Sequence, residues 1–152
     1  MLLILATVAA IAAPRYAQAL AGQRLAAAAR RVAADLLFAK RQAKHTGSSR
    51  TVSFNVGANR YDVSDEEDLD HPGQPYRVFL DHDPYQAVIV SADFGGDAAI
   101  VFDGYGEPDT GGFVTIQVGS KQGTISVDLS TGGVSPPVIV PIPELPDPPQ
   151  TL

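Results

Sequence analysis

Two hydrophobic periodicities divide the chain. Met1 to Ala13 is apolar apart from Thr7, and after Pro14 the apolar residues recur at helical spacing. Leu25, Ala28, Val32, Leu36, Ala39 and Ala43 lie three or four apart and form one stripe, widened near its end by Leu37 and Phe38. Ala, Leu, Arg, Lys and Gln dominate this stretch, all strong helix formers. The pattern predicts one long helix over roughly residues 2–45, kinked at Pro14. Thr46-Gly47-Ser48-Ser49 stops it, with Gly47 as the residue just past the end and Lys44 and His45 at the negative pole of the dipole.

After Ser49 the period drops to two. Val52, Phe54 and Val56 alternate with polar residues, Gly57-Ala58-Asn59 turns the chain, and Arg60-Tyr61-Asp62-Val63 returns as a hairpin. An acidic loop follows, Ser64 to Pro75. Further strands are predicted at 76–80, 86–91, 98–102, 113–118 and 123–129, separated by Gly-, Asp- and Pro-containing turns. Seven short strands so punctuated predict an α+β chain: a long N-terminal helix, then a small antiparallel β-sandwich. Its core is predicted from Phe54, Val78, Leu80, Val88, Val90, Ile100, Phe102, Val114, Ile116, Ile125 and Val127. Seven of the twelve Pro fall in residues 136–152, so that segment reads as an extended tail, excluded from helix and central strand, with Val138-Ile139-Val140 and Ile142 able to dock on the domain. The boundaries are thus 1–46 for the helix, 47–135 for the β domain and 136–152 for the tail.

Composition sharpens this division. Residues 1–50 carry eight Lys/Arg and one acid, Asp35, a net +7; residues 51–152 carry three Lys/Arg and sixteen acids, a net −13. With no Cys, disulfides and thiol chemistry are excluded. The apolar start spans about 20 Å as a helix, short of a hydrocarbon core of about 30 Å. A secretory h-region, a buried helix start and the trailing part of a membrane helix all fit that length. The helical pattern running straight on past Pro14 favours the last, with Leu2, Leu3, Leu5 and Pro14 on the packing surface. Arg24, Arg31, Lys40, Arg41 and Lys44 read as a solvated helix face, and the acidity of the rest argues against nucleic acid.

Candidate chemistry is sparse. Asp81-His82-Asp83 is the best catalytic-looking cluster, but neighbours on a strand point to opposite faces, and it reads as a polar strand end. His45 suits a helix C-terminus. Asp65, Glu66, Asp68 and Asp70 are the one weak candidate for Ca²⁺, in a loop without EF-hand spacing that reads first as solvated. No catalytic residue and no cofactor are assigned.

The order of parts resembles type IV pilin-like proteins, and the β domain resembles the H-type minor pseudopilins, the GspH/FimT-like group. The resemblance rests on Leu2 to Tyr16 (LLILATVAAIAAPRY), Leu36 to Ser49 running into Thr51-Val52-Ser53-Phe54, and Ile100 to Pro108. In that last stretch Phe102, Asp103, Gly106 and Pro108 are similar to the family's Phe-Asp-x-x-Gly-x-Pro turn. Gly112 to Ile116 and Ser130 to Val134 look like its last two strands and closing turn. The resemblance implies a non-enzymatic subunit of a type II secretion pseudopilus or a type IV pilus. It implies an inner-membrane helix, a periplasmic β domain and other pilin or pseudopilin subunits as partners, with Leu25, Val32 and Leu36 fixing helix to domain. It also implies a Gly-Phe-Thr-Leu-x-Glu motif for prepilin peptidase, absent here and expected about two helical turns upstream of Met1, where it would complete a span of about 20 apolar residues. Alternatives are a FimT-like pilin binding DNA for uptake and a membrane-anchored β-sandwich with a binding or hydrolytic role.

Overall fold

The computed structural model describes residues 2–68 and 71–142, with side chains from Tyr16 onward. Helix α1 spans Leu2–Thr46 and runs through Pro14 without a break. It ends where the sequence places its stop, with Gly47 in the left-handed region (φ +63°) that a side chain would disfavour. The strands are β1 Arg50–Asn55, β2 Arg60–Glu67, β3 Pro75–Phe79, β4 Val88–Asp93, β5 Ala99–Phe102, β6 Gly112–Val118, β7 Lys121–Val127 and β8 Val138–Pro141.

They form two four-stranded antiparallel sheets, ordered β3-β2-β1-β5 and β4-β6-β7-β8. The helix lies over both, packed on β7, β6, β1 and β5. Its predicted stripe is the spine of the core: Leu25, Ala28, Val32, Leu36, Ala39 and Ala43 are all fully buried. Each large member withdraws enough apolar area to stabilise the fold by about 2 kcal/mol. Between the sheets Phe54 stacks on Phe94 at 5.7 Å and tilts against Tyr61 at 5.5 Å. Asn59 ties the layers together: its backbone turns the β1–β2 hairpin at φ +48°, and its Oδ1 accepts the Ile89 N–H of β4 at 3.0 Å.

Four details differ from the sequence reading. In β4 it is Ile89 that faces the core, while Val88 and Val90 are 42% and 41% exposed. A run of three β-branched residues carries no alternation, so the β4–β6 pairing, which shifts register between Ile89 and Ser91, decides the face. Leu37 lies outside the stripe and is 37% exposed; Phe38 stacks on Tyr76. The acidic stretch begins as strand, because β2 runs on to Glu67, held by Thr51 N–H donating to Ser64 Oγ and by Arg50 pairing with Glu66. Residues 138–141 of the Pro-rich segment form an edge strand on β7, so the sheet extends past residue 135. Pro is tolerated there because an edge leaves alternate N–H positions unused.

Candidate functional site

Among the polar links that bind the second half of α1 to its domain, two hold the shortest contacts. The first centres on Asp35, the one acid of the first fifty residues and almost fully buried. The helix places it one position before Leu36 in the stripe, facing the first sheet. Its Oδ2 accepts the Tyr61 hydroxyl of β2 at 2.6 Å and Arg31 Nε at 2.9 Å; its Oδ1 accepts the Tyr76 hydroxyl of β3 at 2.9 Å. A second Arg31 nitrogen donates to the Tyr76 oxygen at 2.8 Å, closing a ring of Arg31, Asp35 and Tyr76 to which Tyr61 is joined through Asp35. Long tyrosines thus reach α1 from the two strands of the first sheet that lie furthest from it.

The electrostatics follow from burial. Tyr61 is pushed well above the ordinary tyrosine range, first by desolvation and then by the Asp35 carboxylate. The same causes push Tyr76 up to about 12. Burial works against the Arg31 charge, yet the adjoining Asp35 carboxylate carries the guanidinium above its usual range. The cluster holds its protons, and serves as a clamp rather than an acid–base site.

The second device sits toward the C-terminal end of α1. Lys40 Nζ donates to the carbonyls of Thr131 and Gly132 at 2.8 and 2.9 Å, securing the turn after β7. That turn is built on Asp128, whose Oδ1 accepts from the backbone and hydroxyls of Ser130 and Thr131. The Ser130 hydroxyl foremost, then Thr131, holds the carboxyl below its usual pKa. Beside it lies the turn with the family-like pattern. Asp103 Oδ1 accepts the N–H groups of Tyr105 and Glu107 at 2.9 and 2.8 Å, and Phe102 and Pro108 form a bridge, both buried. Gly106 (φ +75°) passes so close to Lys44 that a Cβ would lie 2.6 Å from its side chain. At Gly104 a Cβ would lie 2.6 Å from the Gly47 carbonyl oxygen. Asp, Gly and Pro at this spacing are what a tight turn needs to press against the helix end.

The predicted site residues fall in separate places. Leu25, Val32 and Leu36 are buried within the chain. Leu2, Leu3, Leu5 and Pro14 belong to the part of α1 whose side chains lie outside the described residues, and Asp70 is itself outside them. Glu66 turns away from the loop onto Arg50 at 2.9 Å and Gln42, while Asp68 bonds His71. Among the described residues no group of three or more His, Asp or Glu is arranged to hold a metal ion. His82 lies past the end of β3, so Asp81 and His82 bond each other at 2.7 Å instead of pointing apart.

Asp35, Tyr61 and Tyr76 are missing from the sequence-based assignment. The available signal was a lone carboxylate inside an apolar stripe, which demands a buried partner. A helix spine clamped to two sheets is the architecture that a family comparison now decides. The model of the family described as type II transport protein GspH matches residues 28–133, a stretch that holds the clamp, the Asp103 turn and the closing turn. The chain belongs to the GspH family. No curated protein matches it in sequence. Among solved structures, the minor pseudopilin EpsH from the type 2 secretion system of Vibrio cholerae aligns with a TM-score of 0.55 at 12% identity, over 78% of this chain and 97% of that one. The type IV minor pilin FimU of Pseudomonas aeruginosa PAO1 gives 0.54 at 14% identity, over 74% and 87%. At such identities the likeness is one of fold. This GspH-family fold is that of structural pilin-like subunits rather than of enzymes.

Proposed function

We propose that this GspH-family chain is a minor pseudopilin of a type II secretion system or a minor pilin of a type IV pilus. In this reading the apolar start of α1 anchors it in the inner membrane, the β domain stands in the periplasm, and α1 packs against the helices of other pilin-like subunits. The observation that carries the reading is the division of labour along α1. Packing by the domain starts at Ala21 and Gly22, which meet Gly119 and Lys121, and Tyr16 to Ala19 are exposed. The helix backbone nevertheless continues to Leu2, leaving about 28 Å of helix ahead of the domain. Ala9, Ala10, Ala12, Ala13 and Ala17 give that segment small residues for close helix approach. Among the described residues no helix is long and apolar enough to cross a membrane, so anchoring belongs to the proposal.

The natural lack of Cys makes the test direct. A single Cys at Ala17 should cross-link to other pilin-like subunits in cells that assemble the fibre, whereas one at the exposed Asp93 should not. Equal yields at both positions, or none at Ala17 in a folded protein, would sink the proposal.

A further inference from the structure

β7 carries two lengths of partner strand along its outer edge. The first closes the turn built on Asp128: Val134 bridges Val127, and Ser135 N–H donates to the Ser126 carbonyl at 2.9 Å. The second is β8, where Val138 faces Thr124, Pro141 faces Lys121, and Ile142 N–H donates to the Ser120 carbonyl at 2.9 Å. The two lengths are out of step. Three positions lead from Val127 to Thr124 on β7 but four from Val134 to Val138, so the outer strand bulges at Pro136-Pro137. Neither proline has an N–H for the ladder, and each steers the residue before it to extended backbone. β8 can therefore leave β7 without disturbing the turn behind it.

Several features mark β8 as the separable length. All four of its residues are exposed, Val138 to 64%. It lies beyond the stretch that matches the family, residues 28–133. Its one seat against the core is at Gly123, where a Cβ would stand 3.7 Å from Ile139 Cγ1 and 3.4 Å from Leu25 Cδ1. The missing side chain leaves a notch between β7 and α1, and Ile139 caps it. β8 itself is a poor edge for a further strand. The bond from Ile142 sets the alternation, so Val138 and Val140 turn their amides to β7 and the outward positions fall to Ile139 and Pro141, the latter without a donor. The favourable route for a partner strand is to take the place of β8.

We infer that the β7 edge is an exchange site, at which residues 138–142 of a second copy of this chain replace the chain's own β8. A second copy brings the same register, the same Pro-Pro join and the same Ile139 for the Gly123 notch, so each contact broken within one chain is remade with the other. Reciprocal exchange closes a two-fold dimer. Residues 136–142 carry no charge, so the segment crosses between two acidic domains without adding to their repulsion. The exchange does not involve the apolar start of α1, so it and assembly through α1 can fail separately.

The test uses full chains in detergent micelles, one preparation carrying Gln122→Cys and another Val140→Cys, positions that face each other across the ladder. After mixing at high concentration, a short bismaleimide should join the two preparations into a covalent dimer, at about tenfold the yield of Asp93→Cys mixed with Val140→Cys. Excess synthetic peptide of residues 136–142 should suppress that dimer by competing for the same edge. The double variant Gln122→Cys/Val140→Cys, kept dilute, should close within one chain and so report that β8 pairs in the folded variants. Internal closure with no mixed dimer above the control, failure of both, equal joining of Gln122→Cys chains to one another, or a yield that the peptide leaves unchanged would each overturn the proposal.

Discussion

The helix is attached to its two sheets in different ways. Over the second sheet the contact is close and largely apolar: Leu25 lies 3.4 Å from where a Cβ would stand on Gly123, and among the described residues the strong polar link is Lys40 to two carbonyls. Over the first sheet, β1 and β5 pack directly, but β2 and β3 are reached through Asp35, Tyr61, Tyr76 and Arg31. The difference lies in what each contact tolerates. An apolar face binds with little directional demand, so it sets strength more than position. A buried carboxylate must meet its donors in one geometry, so it sets the angle and register of the helix, and removing it leaves the Tyr61 hydroxyl without its acceptor.

The comparison can be broken most directly at Asp35. Asp35→Ala should lower the urea-unfolding stability by about 3–5 kcal/mol, since the Tyr61 and Tyr76 hydroxyls lose their acceptor together and Arg31 loses its carboxylate. A loss below that of an apolar truncation would demote the clamp to a passenger. Leu25→Ala, on the apolar side, should cost about 3 kcal/mol through lost burial and the cavity left behind. Its cross-linking through a Cys at Ala17 should otherwise be unchanged, because no polar partner is orphaned.

Lys40→Met should cost about 1.5 kcal/mol, the charge-assisted bonds to Thr131 and Gly132 being partly exposed. Faster amide exchange confined to residues 128–133 would show that the loss is local. The smallest change at neutral pH is Tyr76→Phe, about 1 kcal/mol for one half-buried hydroxyl. Alkaline pH sharpens it. Tyr61 and Tyr76 both have folded pKa values raised above 10, so their contribution is complete below pH 10 and is lost as pH climbs through the folded values, about 12 for Tyr76. Stability should therefore fall between pH 10 and 12, and less steeply in Tyr76→Phe; parallel slopes would contradict the assigned protonation.

The helix and its stop were legible because both depend on local chemistry. Six stripe residues repeat at helical spacing, and Gly47 takes a conformation that side chains resist. The Asp103 turn was legible for the same reason, as Asp, Gly and Pro act within five residues of one another. The β4 face was not, since Val88-Ile89-Val90 looks alike from either side until β6 pairs with it. The clamp was not legible either, because Tyr61 and Tyr76 lie 26 and 41 residues from Asp35 along the chain.

The sequence by itself determined the long helix, its apolar stripe, the seven strands up to residue 129 and the charge division between helix and domain. Each is written in spacing or composition, which neighbouring residues enforce without help. Only the tertiary structure decided that a lone helical carboxylate becomes the point where helix and first sheet meet. Only it turned a Pro-rich segment into an edge strand beside β7. Those outcomes depend on which distant groups arrive together, and a buried charge acquires its meaning from the partner that folding brings to it.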